Sequence, residues 1–206
     1  MTSKLIISAL LTAALATGCV SILPDPAPPP SVYRLETSAT VIDKVANPEI
    51  IRVDRPGSPQ IFNANDIVVT MDGQKLSAVA QANWSDATPI IIQNAMIDAI
   101  SGSRSFIGLL PTSGARTETR LHLSIQNFEA SFDRGAESAP LAVVQYRVTY
   151  ARADDRKLLG THVVRKTTRA DSIAVPSIVA AIEMANDAAM SDIVTWLEGQ
   201  SAAAPS

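Results

Sequence analysis

The sequence TRLHLSIQNFE, residues 119–129, places an apolar side chain at every second position over most of its length. Leu121, Leu123 and Ile125 fall on one face, and polar side chains alternate with them on the other. An alternation of period two over this length is typical of a β-strand with one face against the core. We therefore predict a half-buried strand at this position.

Two more strands are predicted after this one. The segment APLAVVQYRVTYARA, residues 139–153, alternates in the same way, and KLLGTHVVRKTTRA, residues 157–170, returns after a turn at Asp154-Asp155. Successive arms joined by turn residues are typical of an antiparallel arrangement. The three strands are therefore expected to form a C-terminal meander.

Two helices are predicted, at about residues 89–101 and 176–198. The first follows SDATP, whose N-cap candidates and proline suit a first helical turn. In the second, apolar residues recur at steps of three and four and share one face, namely Ile178, Ile182, Ala185, Ala189, Ile193 and Trp196. Its other alanines, including Ala180 and Ala188, are expected to let this helix lie close to a sheet.

Short β-type runs precede the first helix. They are SVYRLE at residues 31–36, EIIRVDRP at 49–56, and a hairpin at 66–84 with Asp72-Gly73 as a two-residue turn. Strands on both sides of one helix, with another helix last, predict an α+β single domain over residues 31–199. We expect a mostly antiparallel sheet covered by both helices on one face, and a disordered tail at residues 200–206.

Residues 1–18 have the pattern of a secretory signal peptide, with Lys4, a short apolar run and small residues at the end. The apolar run is about half of the ~20 residues that a membrane-spanning helix needs. Cys19, the single cysteine, follows Leu-Ala-Thr-Gly, which is similar to the lipobox of bacterial lipoproteins. We predict cleavage between Gly18 and Cys19 and acylation of the Cys19 thiol; the alternative is an inert apolar cysteine.

The lipidated N-terminus and a linker are expected to occupy residues 19–30. Five of the 13 prolines lie between Pro24 and Pro30. Proline fixes φ and donates no backbone hydrogen bond, which excludes this segment from helices and central strands. Residues 20–30 form either a stiff spacer of roughly 30 Å, at ~3.1 Å per residue, or a linker without a fixed reach.

Composition excludes several kinds of partner and site. The net charge is −3, and it becomes −4 when residues 1–18, which include Lys4, are removed. Such a chain has no basic footprint for nucleic acid or for anionic lipid surfaces, so we expect membrane contact through the anchor. One cysteine excludes a disulfide framework and a zinc cysteine cluster.

No catalytic, cofactor or metal site is predicted. His122 and His162 are interpreted as surface histidines on strands, because the local sequence offers few partners that converge on them. Glu129 and Asp133 are expected to be separate solvated charges, and SGSRS at residues 101–105 a flexible loop. The apolar stripe of the last helix is interpreted as core packing, with a lipid groove or a partner-docking helix as alternatives.

The order of these features resembles the ABC-type transport auxiliary lipoproteins, the family that includes paraquat-inducible protein C. The resemblance covers nearly the whole chain after residue 18. It rests on Cys19 with its proline-rich spacer, Tyr33-x-Leu35, the apolar strand closing on Pro56, the hairpin ending at Trp84, the stretch LHLSIQNFE, and a final helix closing on Trp196-Leu197.

The resemblance implies a non-catalytic role in Gram-negative systems that move lipids between the inner and outer membranes. In these systems an ATPase and a permease lie in the inner membrane, a mammalian-cell-entry (MCE) domain protein bridges the periplasm, and the auxiliary lipoprotein serves the outer-membrane end. Val20 follows Cys19 in place of the aspartate that retains many enterobacterial lipoproteins in the inner membrane. Periplasm-facing attachment to the outer membrane is therefore expected.

Two other functions remain open from the sequence. One is an interaction lipoprotein of another envelope machine, in lipopolysaccharide assembly or secretin targeting. The other is a lipid-anchored hydrolase. Whether the chain forms a homo-oligomer is also open.

Overall fold

A computed structural model describes residues 28–37, 43–71 and 73–203, and these residues form one eight-stranded sheet with two helices. The strands are β1 (Ser31–Tyr33), β2 (Glu49–Val53), β3 (Asp66–Met71), β4 (Lys75–Trp84), β5 (Phe106–Leu109), β6 (Thr119–Ser131), β7 (Leu141–Arg152) and β8 (Leu158–Arg169). The helices are α1 (Thr88–Gly102) and α2 (Val175–Ala203). This is the α+β class that the sequence predicts. The predicted signal peptide, Cys19 and most of the proline-rich segment lie outside the described residues.

The longest strand, β6, organises the sheet. On one edge it pairs antiparallel with β7 along its whole length, and β7 pairs antiparallel with β8, which confirms the predicted meander. On its other edge the start of β6 pairs parallel with β2 and its end pairs parallel with β3. The sheet is therefore mixed, with β5 added parallel to β2 and β1 added parallel to β4.

A bulge in β6 keeps its apolar side chains on the core side. The pairing register with β7 shifts between Ile125 and Asn127, so that Gln126 is the extra residue. Before the bulge the odd-numbered residues face the core, whereas after it Phe128 and Ala130 do so, at 1% and 0% exposure. The bulge explains why the alternation of the sequence changes phase at this point.

The β3–β4 hairpin is confirmed, but its connection is one residue longer than predicted. Met71 pairs with Lys75, so three residues separate the strands. Gly73 has φ of +72°, and the N–H of Gln74 donates to the Met71 carbonyl at 3.3 Å. A three-residue hairpin loop with glycine in the left-handed region is a common solution, because glycine adopts that conformation without a Cβ clash.

Both helices cover the same face of the sheet and contact each other. Helix α1 packs on β2 and β5, where a Cβ on Gly108 would lie 2.9 Å from the Ile97 carbonyl oxygen. Helix α2 packs on β7 and β8. The predicted apolar stripe of α2 is buried from Ile178 to Ile193, but Ala180 and Ala188, expected against the sheet, are exposed because they lie beside that stripe.

Among the described residues, no helix combines the length and the apolar character that spanning a membrane requires.

Candidate functional site

A groove of about 400 Å³ lies between β8 and α2. Its lining residues are Lys166 on β8 and, on α2, Ala188, Ser191, Asp192, Thr195 and Trp196. The helical residues are spaced by three and four and so form one stripe along α2. On β8 the even-numbered residues face this helix, because side chains alternate between the two faces of a strand.

Asp192 joins the two walls of the groove. Its Oδ1 lies 2.7 Å from His162 Nε2, and Lys166 Nζ donates to its Oδ2 at 2.6 Å. His162 and Lys166 are four residues apart on β8 and therefore share a face. The Lys166 ammonium, and then the His162 hydrogen bond, hold the pKa of Asp192 below its usual range, with desolvation acting against them.

An aromatic stack involves Trp196, one of the residues that line the groove. The His162 ring lies 5.2 Å from the Trp196 indole with 11° between the planes. Trp196 also contacts Tyr150 edge to face, at 6.3 Å and 77°. Gly160 makes room for this indole, because a Cβ there would lie 2.9 Å from Trp196 Cζ2. The imidazole of His162 is thus held on its Nε2 by Asp192 and on its face by Trp196.

A second polar cluster fastens the end of α2 to the sheet. Glu49 Oε1 accepts hydrogen bonds from Thr119 Oγ1, at 2.6 Å, and from the Tyr150 hydroxyl, while Glu49 Oε2 accepts from Ser201 Oγ at 2.9 Å. Burial and the adjacent Glu49 carboxylate raise the pKa of Tyr150 well above its usual value. Since β2, β6, β7 and α2 meet at this carboxylate, the cluster helps to position Trp196, which lies five residues before Ser201 on α2.

The structure places the two predicted surface histidines on opposite faces of the sheet. His122 lies on the face without helices, beside Gly57. His162 lies on the helix face with 27% of its side chain exposed. It therefore lies at the surface, but Asp192, 30 residues further along the chain, provides a partner that local sequence does not show.

Glu129 and Asp133 are separate, as predicted, but only Asp133 is exposed. Arg169 Nη2 donates to Asp133 Oδ2 at 2.8 Å, and this guanidinium lowers the pKa of Asp133. Glu129 is 7% exposed, so the expectation of a solvated charge there was wrong. It lies at the end of β6 that pairs with β3, and Asn127 Nδ2 donates to its Oε1 at 2.8 Å.

The residues that form the groove were not singled out from the sequence as a site. Lys166 and His162 at same-face positions of one strand are a signal for a shared anionic partner. The partner itself, Asp192, directly precedes Ile193 of the buried stripe, so it lies at the margin of the helix face that packs on the sheet. Within residues 28–37, 43–71 and 73–203, no three His, Cys, Asp or Glu side chains converge in the way that a metal site requires.

Comparison with known proteins gives one family and several similar structures. A family model described as the ABC-type transport auxiliary lipoprotein component matches residues 33–194. The crystal structure of protein XCC0632 from Xanthomonas campestris is similar with a TM-score of 0.71 and 16% identity, over 84% of this chain and 97% of that chain. The crystal structure of an uncharacterized protein gives a TM-score of 0.67 and 10% identity, over 82% and 99% of the two chains. These two likenesses establish the fold. No curated protein matches the chain significantly in sequence.

Proposed function

The chain belongs to the ABC-type transport auxiliary lipoprotein family, whose model spans residues 33–194, and from this membership we propose that it is a non-catalytic component of an MCE-type lipid transport system. In this role it faces the periplasm and acts as a docking module between the inner and outer membranes. Its partners are an MCE-domain protein and the ABC permease and ATPase of the inner membrane. Family membership is the observation that carries the proposal.

Cys19 supplies the membrane attachment in this proposal. Cleavage before Cys19 makes it the N-terminal residue, and acylation then anchors the chain. Each buried CH₂ contributes about 0.8 kcal/mol, and more than one acyl chain is needed for stable anchoring. Residues 20–30 separate the anchor from β1, which begins at Ser31. Val20 after the anchor favours the outer membrane.

The groove between β8 and α2 supports a docking role because its charged groups are held in place. Asp192 partners both His162 and Lys166, and the His162 ring stacks on the Trp196 indole, which lines the groove. A surface whose side chains are already ordered loses less conformational entropy when a partner binds. The groove is therefore suited to recognition of a protein segment.

The proposal is tested by crosslinking cells that express the full-length chain with a C-terminal affinity tag, followed by purification and mass spectrometry. We expect an MCE-domain protein and its ATPase to be recovered. A matched Cys19→Ser variant, released from the membrane, should recover them at a much lower yield. Recovery of a lipopolysaccharide-assembly or secretin machine in place of MCE components would contradict the proposal.

A further inference from the structure

Strand β8 leaves one edge of the sheet unpaired. Among the described residues it pairs only with β7, and it is 12 residues long, whereas strands in globular proteins are commonly about five or six. The edge of a strand presents a row of free N–H and C=O groups with which another extended chain can pair. Edges of this length are usually shortened, bulged or covered. β8 has a bulge at Leu159, but from Gly160 to Arg169 it pairs with β7 in one unbroken register.

Two backbone hydrogen bonds show which residues of β8 direct their peptide groups outward. The N–H of Ala170 donates to the Pro140 backbone carbonyl at 2.9 Å, and this bond joins β8 to β7. The N–H of Ala153 donates to the Glu118 backbone carbonyl at 2.8 Å, and this bond joins β7 to β6. Because the direction of the backbone N–H and C=O groups alternates along a strand, these groups point toward β8 in the even-numbered residues of β7. In the observed register they form hydrogen bonds with the backbone groups of the even-numbered residues of β8. The groups free at the outer edge belong to Thr161, Val163, Arg165 and Thr167.

The side chains of these odd-numbered residues lie on the face of the sheet away from the helices, since His162 and Lys166 contact α2. Val163 is 55% exposed on that face. Arg165 donates to the amide oxygen of Gln145 at 2.9 Å, so its hydrogen bond is to a neutral group. By contrast, Lys166 and Arg169 each pair with an aspartate. Arg165 therefore presents a cationic group at the open edge.

The two elements that meet at this edge differ in charge. β8 contains Arg165, Lys166 and Arg169 and no Asp or Glu, whereas α2 contains acidic residues and no Lys or Arg. On the helix side Lys166 is paired with Asp192, which leaves Arg165, on the opposite face, without a carboxylate partner among the described residues. A strand added outside β8 places every second side chain over the groove beside α2 and the others next to Arg165. On the groove side Trp196 and Ala188 offer apolar contacts, and the charges of Lys166 and Asp192 are already paired with each other, so uncharged apolar side chains suit this side. Acidic side chains suit the Arg165 side.

We propose that the outer edge of β8 binds an extended segment of a protein partner by strand addition, with apolar side chains over the β8–α2 groove and an acidic side chain next to Arg165. Strand addition gives affinity through main-chain hydrogen bonds and specificity through alternate side chains. A second copy of β8 is disfavoured as the occupant, because two basic strands side by side bring like charges together. The inference goes beyond the proposed function, since it specifies a mode of binding and does not depend on which envelope machine supplies the segment.

The test uses the full-length chain in mild detergent and two labelled ten-residue peptides. In one peptide valine alternates with glutamate, and in the other valine alternates with lysine. Val163→Pro removes an outward N–H at an edge position that tolerates proline, and the matched Val163→Thr variant keeps it. By fluorescence anisotropy, we expect the valine–glutamate peptide to bind the parent chain and Val163→Thr alike, and to bind Val163→Pro at least tenfold more weakly. The valine–lysine peptide should bind the parent chain at least tenfold more weakly than its acidic counterpart.

A charge reversal tests the same edge without proline. Arg165→Glu should invert the preference, so that the valine–lysine peptide binds this variant more tightly than the valine–glutamate peptide does. Hydrogen exchange should show protection of the amides of Val163, Arg165 and Thr167 on binding. Absence of binding by the valine–glutamate peptide, equal binding to Val163→Pro, or an unchanged preference in Arg165→Glu would overturn the inference. Sedimentation showing that β8 joins two copies of the chain, with Val163→Pro monomeric, would overturn it as well.

Discussion

The imidazole of His162 lies parallel to the indole of Trp196, with ring centroids 5.2 Å apart and 11° between the planes. His162 belongs to the edge strand β8 and Trp196 to the C-terminal part of α2, so the stack connects the two walls of the groove. Gly160, two residues before His162, leaves the space that the indole occupies. The shape of the groove thus depends on a residue without a side chain.

Gly160→Ala is expected to destabilise the fold and to displace Trp196. The new Cβ would lie 2.9 Å from Trp196 Cζ2 and from Gln200 Oε1, and overpacking of this kind costs about 1–3 kcal/mol. Urea unfolding measures the cost, and near-UV circular dichroism reports the indole environment. Gly199→Ala is the matched control. Gly199 lies on α2, the helix that carries Trp196, and a Cβ there would meet open space, so a gain in stability of up to about 1 kcal/mol is expected. Unchanged stability and an unchanged aromatic spectrum in Gly160→Ala would contradict the packing described here.

The strands and the helix that form the groove could be predicted from the sequence, but the contacts between them could not. Period two located β6, β7 and β8, and steps of three and four located the buried face of α2, because both patterns record burial of one side of an element. Neither pattern records which elements are neighbours. The parallel pairing of β2 and β3 with β6, and the approach of Asp192 to His162, depend on contacts between distant segments. The same holds for the burial of Glu129, which lies where β3 joins β6.

Tyr146→Phe is expected to destabilise the chain more than the loss of one hydroxyl suggests. The Tyr146 hydroxyl donates to Asn186 Oδ1 at 2.8 Å, and both residues are 0% exposed. Without the Tyr146 hydroxyl, Asn186 Oδ1 stays buried and loses this hydrogen bond. The Nδ2 of the same amide already has no partner among the described residues. Leaving such a group unsatisfied costs about 1–3 kcal/mol. Denaturant unfolding of Tyr146→Phe, Asn186→Leu and the double variant gives the coupling energy.

The double variant is the control for this pair. It removes both polar groups, and replacing both partners by apolar groups of similar shape is often nearly neutral. The double variant should therefore be more stable than Tyr146→Phe alone. If the changes in the free energy of unfolding of Tyr146→Phe and Asn186→Leu add up to that of the double variant, the hydrogen bond is not the source of the lost stability.

Lys166→Met is expected to make the stability of the chain depend less on pH in acid. The pKa of Asp192 is lowered in the folded chain, so its stabilising effect is complete above the ordinary value of about 3.9 and is lost as the pH falls through the folded value. Removing Lys166 raises the folded pKa of Asp192 toward that ordinary value, so the stabilising effect that acid removes becomes smaller. Urea unfolding at several pH values between 5 and 2 should show a smaller fall in the free energy of unfolding than in the parent chain.

At pH 7 the same substitution should cost less than about 1 kcal/mol, because the Lys166 and Asp192 side chains are 36% and 32% exposed. Lys75→Met on β4, also exposed, removes an equal charge far from Asp192 and serves as the control. The interpretation fails if the free energy of unfolding of Lys166→Met falls with pH as steeply as that of the parent chain and of Lys75→Met.

Cys19→Ser is expected to release the chain from the membrane without changing the stability of the domain. The substitution removes the proposed site of acylation, and residue 19 lies 12 positions before β1 in the sequence. Labelled palmitate should enter the parent chain and not the variant, and flotation should place the parent chain with outer membranes. The matched variant Val20→Asp keeps the thiol, so it should remain labelled but move to the inner membrane in an enterobacterial host. Cys19→Ser material that still floats with membranes would show that another part of the chain provides the attachment.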